Sequence, residues 1–227
     1  MKPALTLFFA LHLAGNLTGA PLRFEITDGK GKRPGGVTVD VSDPDEDGWY
    51  RLAAHTKGKG NPLLVWPFDS LAKAADGPGD IPVIVIETGD PKALSNPALI
   101  AFLTADELLG SPRSPGFDAG ELAKAKAKLQ TAADPFARGV GLLYSKKPAD
   151  AAEFLGRALK ERERQLTRVP SEIYPAAILH GRALLDAQKF DEAAVAFLKA
   201  LKQRPSDPVA SQFRADALMK AGKPEAR

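Results

Sequence analysis

Small and aromatic residues return at fixed intervals through the second half of this chain, and that spacing limits the fold more than any other feature. From about Ala132 onward the sequence is rich in Ala and Leu with helical periodicity. Counted from Tyr174, the residues Gly181, Phe190, Ala193, Phe197, Ala200 and Pro205 fall at positions 8, 17, 20, 24, 27 and 32. Positions 8, 20 and 27 are small, position 24 is aromatic, and Pro205 is a helix stop. Asp207 then caps the next helix, with Pro208 at its first position. Another unit begins near Pro208, 34 residues on, with Ala215, Leu218 and Gly222 in register. An earlier one begins at Ala132, at an offset of 42, with Gly139, Leu142, Ala151, Leu155 and Ala158 in register. The charged stretch 160–170 (KERERQLTRVP), an extension of the second helix, accounts for the excess length.

These positions resemble the tetratricopeptide repeat, a helix–turn–helix of 34 residues whose copies stack into an array. The resemblance implies units near 132–173 and 174–207 and a partial one at 208–227. Gly139, Gly181, Phe190, Ala193, Phe197, Ala200 and Pro205 would then be repeat-packing residues. It also implies a concave face, made mainly by first helices, that binds a protein or peptide partner. Its candidates are Phe136, Val140, Tyr144, Ile178, Arg182, Leu185, Gln212 and Asp216, with Arg182 suited to grip a carboxylate. The same residues are equally placed to pack between units, or against the helix expected over Glu121–Ala132. The pattern departs from the family at Ala177 and His180, where Trp and Leu are usual. The partial last unit points to an uncovered apolar face, open to a partner or to self-association.

Residues 21–92 read as β structure. Arg23–Thr27 and Val37–Val41 alternate, Trp49–Leu52 follows the turn residue Gly48, and Leu63–Trp66 and Val83–Ile86 sit between Gly, Pro and Asp punctuation. Val83–Ile86 is apolar throughout, so it is expected to be central and buried on both faces. The order strand, Asp-Gly turn, PGGVTVDV, acidic turn and Gly48-Trp49-Tyr50-Arg51-Leu52 is similar to transthyretin-like or carboxypeptidase-regulatory-like β-sandwich modules. Residues 93–131 read as a helical linker, with Asn96 and Pro97 opening a helix that runs to Leu109. The fold expected is therefore α+β and multidomain: a small β-sandwich followed by an α-helical tetratricopeptide-type solenoid.

Residues 1–20 have the layout of a signal peptide: Met1-Lys2, the apolar run Ala4–Ala14, then small residues up to Ala20. This predicts a secreted or periplasmic protein. No stretch approaches the length of a membrane span. The chain has 227 residues and no Cys, which excludes disulfide scaffolds and thiol chemistry. Its 31 basic residues are interleaved with 28 acidic ones, leaving no basic stripe for nucleic acid.

Chemistry-bearing residues are sparse. Asp43, Asp45 and Asp47, ahead of Gly48, match the opening of a calcium loop. Position 12 is Ala54, so the closing Glu is missing, and a solvated turn explains the same residues. Calcium is the single cofactor the sequence raises. His55 beside a Gly-rich basic loop suggests an enzyme only if a pocket surrounds it. The reading that follows is a non-catalytic extracytoplasmic interaction or scaffold protein acting through its helical repeats. The alternative is a calcium-dependent surface-binding or adhesion protein acting through the β-module.

Overall fold

The computed structural model describes residues 24–46, 48–57, 62–65, 71–73, 81–113, 116–164 and 170–223. Six strands come first: β1 (Phe24–Asp28), β2 (Val37–Val41), β3 (Trp49–Thr56), β4 (Pro62–Val65), β5 (Leu71–Lys73) and β6 (Ile81–Glu87). Seven α-helices follow: α1 (Pro97–Leu108), α2 (Ala119–Lys128), α3 (Pro135–Tyr144), α4 (Pro148–Arg164), α5 (Pro170–Asp186), α6 (Phe190–Gln203) and α7 (Pro208–Lys220). The expected signal peptide, residues 1–20, lies outside the described residues. Among those residues no helix is long and apolar enough to cross a membrane.

The expected β-sandwich does not form. The described chain is mostly helical, and its strands make two small three-stranded sheets, β1-β6-β4 and β2-β3-β5. The physical reason lies in where β6 sends its side chains. Successive residues of a strand point to opposite faces. Val83 and Val85 join Leu52 in a cluster of three buried residues, while Ile84 and Ile86 enter the helical core. Trp49 of β3 also belongs to that core. A self-contained sandwich would bury its inner faces against each other. Here much of the strands' apolar surface is turned toward helices instead. β6 does lie between its neighbours, paired parallel to β1 and antiparallel to β4, and both its faces are buried.

Helices begin and end where the chemistry dictates. The side chains of Asn96, Asp118, Asp134 and Asp207 cap α1, α2, α3 and α7, and Pro occupies the first turn of α1, α3 and α7. The turns that follow α3, α5 and α7 are copies of one another. Lys146, Gln188 and Gly222 take φ of 60°, 61° and 72°. The next residue's N–H reaches back five positions each time: Lys147 to the Leu142 carbonyl, Lys189 to Leu184 and Lys223 to Leu218. This is the left-handed turn that satisfies the last carbonyls of a helix. Gly110, with φ 83°, closes α1 in the same way: its N–H donates to the Glu107 carbonyl, and the Ser111 N–H reaches back five positions to Asp106.

Packing follows the same rhythm. From α3 to α7 each helix lies against the next, and α1 lies beside α3. Gly139 and Gly181 stand where paired helices are closest. A Cβ on Gly139 would lie 2.6 Å from Leu155 Cγ, and one on Gly181 would lie 2.6 Å from Phe197 Cε1. Ala193, Phe197 and Ala200 are fully buried, Phe190 is half-buried, and Pro205 is exposed just beyond the end of α6. The segment expected as a linker is itself core: Leu99, Ile100, Ala101, Leu103 and Ala105 of α1 are buried.

Candidate functional site

The most specific contact between strands and helices is made by one side chain. The acidic turn presents it. Asp45 is tied to this region three ways: its N–H donates to the Trp49 carbonyl at 2.8 Å, its Oδ1 accepts the Trp49 N–H at 2.9 Å, and its carbonyl accepts from Gly48 at 2.9 Å. Gly48, at φ 79°, makes the reversal possible. The carboxylate that was a calcium candidate thus serves as a turn acceptor. Asp43 is exposed, and Asp47 lies outside the described residues. Among the described residues no group of three or more acidic or histidine side chains is placed to hold a metal. Replacing Asp45 by Ala is expected to cost about 1 kcal/mol in urea unfolding. A chelator is expected to leave the melting temperature of the native chain unchanged, and a chelator-induced drop would restore the calcium reading.

Trp49 itself is 2% exposed. Its ring meets Tyr174 of α5 edge-on, with centroids 6.4 Å apart and planes at 73°. Its indole N–H donates to the carbonyl of Gln203 at 3.2 Å. That carbonyl is one of the last in α6, which lack partners inside the helix. The Arg204 guanidinium lies 5.8 Å from the Trp49 ring and 5.6 Å from the Tyr174 ring. Tyr174 donates its hydroxyl to Asp207 Oδ2 at 2.6 Å, and Asp207 Oδ1 accepts from Ala210 N–H at the start of α7. One indole therefore rests on the corner where α5 begins, α6 ends and α7 begins. No motif in the sequence singles out this cluster. The available signal is a Trp held behind an Asp/Gly turn, in a strand whose alternation puts it on the inward side.

The residues expected to line a partner groove divide into two groups. Phe136, Val140, Ile178 and Leu185 are buried in the common core, with Phe136 against Phe102 of α1 and beneath the Arg162 guanidinium. Tyr144 is half-buried, and the Lys126 ammonium lies over its ring. Arg182 pairs with Asp186 at 3.2 Å and stacks over Phe213, while Asp216 pairs with Lys220 and Gln212 is exposed. Gln212 is thus exposed and Tyr144, Arg182 and Asp216 are half-buried, while the other four are closed to a partner.

Two histidines complete the inventory. His55 lies on the exposed face of the β2–β3 pair, its Nε2 2.9 Å from Asp40 Oδ2, with both side chains more than half exposed. It stands on an open strand surface, which removes the enzyme reading built on it. His180, on α5, is packed against Gly156 of α4, and its Nδ1 has no hydrogen-bond partner. Burial, and then the Lys199 ammonium, lower its pKa to about 4; Lys160 adds to this, while Glu192 and Glu163 oppose it. The sign follows from linkage. Above the unfolded value of about 6.5 both states are neutral. Between there and about 4 only the unfolded chain gains the proton, so stability falls as pH falls and levels off below. Because the ring is partly exposed, the loss is on the order of 2 kcal/mol. Urea titrations across this range should show the slope, and His180→Leu should flatten it.

No protein-family model matches the chain, and neither a curated protein nor a solved structure matches it.

Proposed function

We propose that this is a non-catalytic interaction protein whose helix pairs are tetratricopeptide-type repeats presenting a docking surface to a protein or peptide partner. The observation that carries the reading is the recurrence of one left-handed turn, at Lys146 and Gln188 between paired helices and at Gly222 after α7. Stacked hairpins give an extended surface and a rigid spacing of side chains, which suits recognition of a chain better than chemistry on a small molecule. The accessible part of that surface is the polar edge of Arg182, Gln212 and Asp216, with Phe213 beneath the guanidinium. A carboxylate-bearing partner is favoured by Arg182, whose present partner, Asp186, is itself a carboxylate. The layout of residues 1–20 supports action outside the cytoplasm.

The test is affinity capture from an envelope or culture fraction with the full chain, beside a chain carrying Arg182→Ala and Gln212→Ala. A stoichiometric partner held by the first and lost by the second supports the reading. Equal capture by both places recognition elsewhere and overturns this surface as the site.

A further inference from the structure

We infer that the open edge of β2 pairs with the same edge of a second copy of this chain, as an antiparallel two-fold strand pair centred on Val39. The inference does not use the repeat reading. The edge belongs to the strands, and it stands or falls apart from the helical surface tested by capture.

β2 reads Val37-Thr38-Val39-Asp40-Val41. It ends its sheet, in the order β2-β3-β5, and pairs antiparallel with β3. The bonds that flank this ladder fix its phase. Lys57 N–H donates to the Gly36 carbonyl, and Ser42 N–H donates to the Arg51 carbonyl, both at 2.9 Å. Hydrogen-bonded pairs alternate along an antiparallel ladder. Thr38 and Asp40 therefore direct their backbone groups at β3, opposite His55 and Ala53. The N–H and C=O groups of Val37, Val39 and Val41 point the other way, and among the described residues no backbone hydrogen bond reaches them. The valine side chains are half-buried over a small cluster whose buried members are Leu52, Val83 and Val85. Thr38 and Asp40 are exposed on the opposite face. Bare edge groups beside a partly covered apolar cluster are a template for another strand, and β2 carries no Lys, Pro or inward charge to block it.

Self-complementarity selects the occupant. With Val39 opposite the second copy's Val39, Val37 meets Val41 and Thr38 meets Asp40. Every edge-facing group is then in phase, which gives about six backbone hydrogen bonds. The valines line one face, so the two small apolar clusters become continuous. On the other face each Thr38 hydroxyl stands beside the second copy's Asp40 carboxylate, a donor against an acceptor. Sliding by two residues one way sets Asp40 against Asp40, and sliding either way leaves edge groups unpaired. A five-residue edge is small, so the association is weak and follows concentration.

The test is sedimentation equilibrium of the full chain from roughly 1 µM to 1 mM, with amide hydrogen exchange at both ends of that range. The native chain is expected to pass from monomer to dimer. As it does, exchange slows at the Val37, Val39 and Val41 amides. The Thr38 and Asp40 amides, bonded to β3 at every concentration, do not change. Position 38 supplies the diagnostic, because its side chain is exposed and lies away from the valines. Thr38→Asp sets like charges against Asp40 across the pair and should raise the dimer dissociation constant roughly tenfold, while Thr38→Lys should lower it by a similar factor. Adding Asp40→Lys to Thr38→Asp should restore pairing. Far-ultraviolet circular dichroism should be the same in all of these. A chain that stays monomeric across the range overturns the inference. So does a dimer indifferent to the charge at position 38, which would be held by another surface. Slow exchange of the valine amides that does not vary with concentration would mean that another segment occupies the edge, and would overturn it as well.

Discussion

Phe197→Ala is expected to lower the unfolding free energy by about 3–5 kcal/mol, read from urea midpoints at constant slope. The ring is 0% exposed. It sits between Gly181 on α5 and Phe213 on α7, with the two phenyl centroids 5.5 Å apart. Deleting it opens a cavity shared by three helices that cannot all close in on it. For a chain of this size the melting temperature should fall by roughly 10 °C. The partner substitution acts by the opposite means. Gly181→Ala would put a methyl group 2.6 Å from Phe197 Cε1 and 2.7 Å from its Cδ1. Overpacking of that kind costs about 1–3 kcal/mol. Because the two changes share one space, their sum should exceed the loss in the double variant. Strict additivity would show that glycine and ring do not meet.

Asp106→Ala is expected to be comparably damaging, at about 3–5 kcal/mol. Asp106 is 3% exposed on α1, and its carboxylate accepts from Arg113 Nε, itself largely buried. Removing the carboxylate leaves a guanidinium in the interior without its counter-charge, which costs more than the pair contributes while intact. The diagnostic is the double replacement Asp106→Leu with Arg113→Met. It should recover most of the loss, since no lone charge remains. If Asp106→Ala alone is tolerated within about 0.5 kcal/mol, the site is wetter than its burial indicates.

Much of the helical half is legible in the sequence, and the reasons are local. Gly181 and Phe197 announce their contact because no larger residue fits opposite a buried aromatic. Asp207-Pro208 announces a helix start because the cap and the missing N–H both belong there. Gly110 carries the same signal for α1, but the Pro-rich loop after it masks the likeness to the turns at Lys146, Gln188 and Gly222. The β half is less legible because its outcome is set at long range. The alternation of β2 and the apolar run of β6 identify strands. Nothing in them says that Ile84 and Ile86 face helices while Val83 and Val85 face another sheet. That division turns an expected sandwich into two small sheets leaning on a helical body. The same limit applies to the site. Phe136, Val140, Ile178 and Leu185 can be placed on first helices from their spacing, but their burial in the common core cannot. Trp49 and Gln203 are 154 residues apart, beyond the reach of any motif.

The measurement that tests this account most directly is acrylamide quenching of Trp49 in the otherwise native chain carrying Trp66→Phe, which leaves one indole. The account predicts blue-shifted emission and quenching far slower than for free indole, with both lost on urea unfolding. Red-shifted emission in native buffer, quenched as fast as a solvent-exposed indole, would mean that Trp49 is not seated on Tyr174 and Gln203, and would contradict the packing of β3 against the helix corner.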